Sequence, residues 1–153
     1  MTRPTNRRAL LTGAALAGTA AGVTGAAYRK PPPPAQKKVY RTGPKPATPP
    51  AYSTGISFGN LLFLSGIICR TPGDVKAHTE LALSDIKKQL EAAVSSMEKV
   101  LRCTVFRADI KDLAAFNDVY VGKFADDLPT RSTIAAAGIP AGSLVEIDVI
   151  AYL

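Results

Sequence analysis

The sequence predicts an α+β domain of order ββαβαββ, with two helices on one face of a mixed sheet. Two observations carry the prediction. Five stretches rich in β-forming residues lie at 52–58, 61–68, 100–110, the early 130s and 144–152. Between them, two stretches repeat apolar residues at three- and four-residue steps, the spacing of one helix face.

Ahead of that domain the chain reads differently. Arg7 and Arg8 precede Leu10 and Leu11, and no charged residue falls from Ala9 to Ala27. Residues 1–27 therefore read as an export signal ending in the small residues Gly25, Ala26 and Ala27. The Arg-Arg-x-Leu-Leu run resembles the twin-arginine motif, an address and not an anchor. An uncleaved single-pass anchor is the alternative. Either way the domain is expected outside the cytoplasm, periplasmic or secreted, with no stable membrane insertion once the signal is removed. Residues 28–50 hold eight prolines and six basic residues and read as an extended linker.

Charge separates the parts further. Residues 1–50 carry nine basic and no acidic residues, net +9, whereas 51–153 carry ten basic against twelve acidic, net −2. The domain thus lacks the basic footprint that nucleic-acid binding needs, and no nucleic-acid partner is expected.

Within 51–153 each element has its reason. Gly59-Asn60 separates the first two strands as a hairpin turn, and Gly66 inside the second marks a bulge or a close backbone approach. From about His78 to Met97, the residues Leu83, Ile86, Leu90, Ala93, Val94 and Met97 form a helical stripe. Asp112 is placed to cap a second helix with the stripe Leu113, Phe116, Val119, Tyr120 and Phe124. The last twenty-five residues, from Pro129, read as two strands joined by a Gly/Pro turn. The strand at 144–152 is apolar on both sides, so another subunit is expected to cover the face without helices.

Little in the composition suggests a metal or a nucleophile. Cys69 and Cys103 have no metal-ligand or redox spacing and read as buried free thiols. The single histidine, His78, reads as a surface or capping residue. What stands out is a pair of opposite charges among core-type residues, Arg131 in the first of the closing strands and Glu146 in the second. Arginine meets a carboxylate through two parallel charge-assisted bonds, and glutamate can move a proton. From spacing alone a buried structural ion pair is an equal alternative.

Several runs, in collinear order, resemble the RidA (YjgF-type) family of reactive-intermediate deaminases: Tyr52-Ser53-Thr54-Gly55, Leu64-Ser65-Gly66-Ile67, Thr104-Val105-Phe106, Phe116-Asn117-Asp118-Val119-Tyr120, Pro129-Thr130-Arg131-Ser132 and Val145-Glu146-Ile147. The resemblance implies a chorismate-mutase-like protomer, a homotrimer with clefts between subunits, and no cofactor or metal. The implied activity is hydrolysis of small enamines and imines, of the 2-aminoacrylate and 2-iminopropanoate class, to 2-oxo acids and ammonia. By motif, Arg131 matches the arginine that grips the substrate carboxylate and Glu146 the acid that helps to place water. Tyr52, Gly66 and Asn117 match residues at or near the cleft. Thr133 stands where the deaminase group commonly has cysteine, at a position whose carbonyl meets substrate or water. That departure, and an export signal on a family that normally works in the cytosol, keep a second reading open: a module that holds small carboxylates or 2-oxo acids without turnover. An RNA-cleaving role, described for some members, is a third and is opposed by the charge of the domain.

Overall fold

The computed structural model describes residues 34–153; the expected signal and the first residues of the expected linker lie outside them. The strands are β1 (Lys37–Tyr40), β2 (Gly55–Phe58), β3 (Leu61–Ile68), β4 (Val100–Arg107), β5 (Thr130–Ala135) and β6 (Val145–Tyr152), and the helices are α1 (Val75–Ala92) and α2 (Leu113–Tyr120). The sheet runs β1-β2-β3-β6-β4-β5, antiparallel throughout except for β4 beside β5. This is the expected mixed sheet with two helices, preceded by one strand more.

The extra strand corrects the linker. Lys37–Tyr40 pairs in register with Phe58–Gly55, and Tyr40 packs against the core. Prolines bound the segment at Pro34 and Pro44 but leave its own amides free to donate, so four residues can extend the sheet. The compact unit accordingly begins at Pro34, inside the stretch read as a spacer to residue 50.

The closing strands also differ from expectation, because they form no hairpin. β6 inserts between β3 and β4, while β5 pairs in parallel with β4 at the far edge. Residues 136–144 and a left-handed turn at Ala141 (φ 58°) and Gly142 (φ 69°) carry the chain across.

A single apolar core lies between the sheet and the helices. Leu62, Leu64 and Ile67, then Cys103 and Val105, then Val145, Ile147, Val149 and Ala151 point into it from β3, β4 and β6. Leu83, Ile86 and Leu90 from α1, and Phe116 and Tyr120 from α2, close it from above. The opposite face has no helix; Phe58, Leu61, Phe63, Ile134 and Tyr152 are exposed there.

α1 starts three residues before the predicted point, because Asp74 accepts the Ala77 N–H at 2.8 Å and caps it. It ends at Ala92, where Val94 turns left-handed (φ 62°). His78 is therefore inside the helix and not at its start, and it is buried: Nδ1 accepts the N–H of Leu144 at 3.0 Å. α2 has a different cap from the one expected. Asp109 accepts the Lys111 N–H at 2.9 Å and starts a short 3-10 turn that runs into the helix, while Asp112 makes no side-chain cap bond.

Candidate functional site

The functional candidates fall into two groups, and the sheet separates them. β5 is an edge strand whose parallel register sets Arg131 opposite Cys103 and Thr133 opposite Val105, both core-facing residues of β4. Arg131 thus leaves the sheet on the helix side, near its rim. Its guanidinium carbon lies 4.7 Å from the centre of the Tyr120 ring and 5.4 Å from that of Phe116, cation–π distances that hold a flexible side chain in one direction. The residue itself stays exposed.

Beside it opens a cavity of about 430 Å³ lined by Asn117, Tyr120, Val121, Leu128, Pro129 and Arg131. Asn117 Oδ1 is buried with no hydrogen-bond partner among the described residues, while the Tyr120 hydroxyl faces the Cys103 thiol. Arg131 and Asn117 are thus brought together as expected. Thr133 is half-buried two positions along the same strand face, outside the lining of the cavity.

The second group gathers at the bulge in β3. The register with β6 slips between Leu64 and Ile67, as Gly66 suggested, and the glycine comes to face Glu146. Glu146 belongs to the alternate set of β6, opposite the buried Val145, Ile147 and Val149, so its half-buried carboxylate stands on the face without helices. Ser65 Oγ donates to the carbonyl of Ser53 at 2.7 Å, and Ser65 N–H donates to that of Thr54 at 3.0 Å. These bonds tie the loop bearing Tyr52 to the bulge. Tyr52, Thr54, Ser65 and Gly66 share the wall of a cavity of about 270 Å³.

Arg131 and Glu146 therefore lie on opposite faces of one sheet and form no ion pair, so the structural-pair alternative does not hold within a chain. Arg131, Asn117 and Tyr120 meet at one cavity. Gly66 touches Glu146 and shares a second cavity with Tyr52, closed on its other side by Asp85, Lys88 and Gln89 of α1 and not lined by Glu146. A single chain does not bring Arg131 and Glu146 together.

The surroundings of Arg131 are apolar and polarising at once. Burial pushes the Cys103 thiol above its ordinary range, and burial likewise raises the Tyr120 phenol, so both stay protonated at neutral pH. Sequence reading passed over a further cation, Arg107, the last residue of β4. It is fully buried, with its guanidinium carbon 5.1 Å from the centre of the Phe116 ring. The signal was present in the alternation, since Arg107 falls in phase with Cys103 and Val105. Among the described residues, no cluster of three or more His, Cys, Asp and Glu is placed to hold a metal.

Comparison with known proteins places nearly the whole folded unit. The family model described as Endoribonuclease L-PSP matches residues 42–153. A RutC family protein of Pyrococcus horikoshii is 39% identical over 104 residues, covering 63% of this chain and 82% of that protein. A 2-iminobutanoate/2-iminopropanoate deaminase of Capra hircus is 36% identical over 80 residues, 52% of this chain and 58% of that protein. Among solved structures, that of TdcF from E. coli with bound serine superposes with a TM-score of 0.68 at 30% identity, covering 76% of this chain and 98% of that one. Matched along nearly the whole folded unit, the chain belongs to the RidA (YjgF-type) family.

Proposed function

We propose that the protein hydrolyses small enamines and imines of the 2-aminoacrylate and 2-iminopropanoate class to 2-oxo acids and ammonia, in clefts between the subunits of a homotrimer outside the cytoplasm. The observation that carries this reading is the exposed Arg131, its guanidinium stacked on the Tyr120 ring beside a cavity lined by Asn117, Val121, Leu128 and Pro129, in a relative of an imine deaminase.

The chemistry asks for little. Arg131 grips the carboxylate through paired charge-assisted bonds and so fixes the imine carbon. Glu146, supplied by a neighbouring subunit, accepts a proton from water as the water oxygen bonds to that carbon. The C=N bond becomes a C–N single bond as the nitrogen takes up a proton from solvent, giving a neutral carbinolamine. Glu146 then passes its proton to the amine nitrogen, the C–N bond breaks as the hydroxyl oxygen forms the C=O bond, and the hydroxyl proton is released to solvent, leaving the 2-oxo acid and ammonia. Assembly is supported by the row of exposed apolar residues on the open face of the sheet, a surface that monomers seldom leave bare.

Holding a small carboxylate without turnover is the second reading. It is favoured by the serine in the E. coli relative, which is an amino acid and not an imine, and by Thr133 in place of the usual cysteine. Freshly generated 2-iminopropanoate separates the two when pyruvate release is followed in the presence of the purified protein. Release no faster than in buffer, with carboxylate binding still measurable, would sink the deaminase and leave the binder. The expected export is tested by replacing Arg7 and Arg8 with lysine, which should leave the chain in the cytoplasm.

A further inference from the structure

Arg107 is fully buried, and its Nε and both Nη atoms lack a hydrogen-bond partner among the described residues. A guanidinium withdrawn from water in this way requires its charge to be answered. Asp109 and Asp112, on the turn after β4, favour the charged form, while burial and the neighbouring Arg131 oppose it. Neither aspartate makes an ion pair with it, and Asp109 is already engaged by the Lys111 N–H. Both arginines stack on Phe116, at 5.1 Å and 5.4 Å from the ring centre. Their guanidinium carbons can be no further apart than the sum of those distances.

We infer that Arg107 is a second, buried cation behind the Arg131 clamp, and that it biases the cleft toward ligands with two negative charges, dicarboxylic 2-imino and 2-oxo acids, over monocarboxylic ones. The inference rests on the reading of Arg131 as a carboxylate clamp. Arg107 need not touch the ligand. A negative charge held about as far from Arg107 as the Arg131 guanidinium can be, about 10 Å, gains roughly tenfold in affinity at an effective dielectric of about 20. A dianion therefore gains that factor twice and a monoanion once.

Titration calorimetry with pyruvate and with 2-oxoglutarate tests this on the full chain and on its Arg107→Leu and Arg107→Lys variants. Wild-type protein should bind 2-oxoglutarate more tightly than pyruvate. Arg107→Leu should lose about tenfold more affinity for 2-oxoglutarate than for pyruvate, and Arg107→Lys, which keeps the charge, should retain most of the preference. Because Leu replaces an unpaired buried cation, its melting temperature should equal or exceed that of the wild type. Equal losses on both ligands, or no loss, would overturn the role of Arg107, as would a wild type that binds pyruvate as well as 2-oxoglutarate; in each case the clamp would stand. Failure of the wild type to bind either acid would remove the clamp and this inference together.

Discussion

The missing side chain of Gly66 points straight at the carboxylate of Glu146. A Cβ on Gly66 would stand 2.8 Å from Glu146 Cδ and 2.9 Å from Cγ, and would collide with Oε1. The glycine at the bulge is thus the space in which the glutamate sits.

Gly66→Ala should therefore separate activity from stability. The obstructed neighbour is the far end of a flexible, half-buried side chain, which can swing away at small cost. The melting temperature should fall by only a few degrees, about 1 kcal/mol or less. Displacing the group that moves the proton should lower kcat/KM for 2-iminopropanoate by about 10²-fold or more. Unchanged turnover would show that Glu146 does not act from this position.

Arg131→Ala and Arg131→Lys test the clamp. The residue is exposed and its rings Phe116 and Tyr120 are packed independently of it, so neither variant should lose much stability. Alanine should weaken carboxylate binding by about 10²-fold, the value of a charge-assisted pair of bonds. Lysine keeps the charge but not the planar fork, and should recover only part of that loss. Binding isotherms for pyruvate check both; equal affinity in all three proteins would move the site elsewhere.

Much of this was legible in the sequence and some was not, for physical reasons. The bulge at Gly66, the hairpin at Gly59-Asn60 and the apolar stripes depend on neighbours within a few residues, and local pattern reports them. Pairing partners are a tertiary property: nothing in Pro129–Leu153 says that β4 lies between its two strands, so Arg131 and Glu146 read as facing each other when they face apart. His78 illustrates the same limit. Its burial is decided by Leu144, sixty-six residues away, whose N–H needs an acceptor. Lys37–Tyr40 was hidden by composition, since prolines and lysines around it mask four residues that the edge of β2 can still recruit. Arg107 was in plain view in the alternation of β4, but a charge in phase with core residues is easily assigned to the rim.

His78→Ala removes the acceptor for Leu144 N–H at the entry to β6 and leaves a buried cavity. The expected loss is about 2 kcal/mol or more, from the unpaired amide and the missing ring together. Denaturant melts should record it; a loss of a few tenths of a kcal/mol would mean that water replaces the imidazole. His78→Asn, with an acceptor on a shorter arm, is expected to restore part of the stability.

Alkaline pH should destabilise the fold through Cys103 and Tyr120. Both groups are raised above their ordinary values of 9.0 and 10.0, chiefly by burial. The folded state therefore holds these protons more tightly than the unfolded state. Their contribution to stability is fully present below about pH 9 and declines as pH climbs through and beyond the ordinary thiol and phenol ranges. Melting temperatures between pH 7 and pH 11 should fall in the upper half of that range, and Cys103→Ala should flatten the first part of the decline. A decline of the same slope in the variant would assign it to other groups. Alkylation of Cys103 in the native protein should be correspondingly slow at pH 8.

Opposite faces make a sharper prediction about assembly. Since one chain presents Arg131 and Glu146 on different sides of its sheet, the proposed reaction requires a cleft that takes one residue from each of two subunits. Arg131→Ala and Glu146→Gln should each be inactive alone. When the two are unfolded together and refolded at equal concentration, one cleft in each mixed trimer, roughly a quarter of all clefts, should receive both intact residues, with a matching return of pyruvate release. Phe63→Glu, on the open face, should abolish that return by preventing assembly, with sedimentation showing monomers of retained secondary structure. Silence from the mixed variants, with mixed oligomers demonstrated by mass, would place both residues in one chain's site or remove one of them from the reaction.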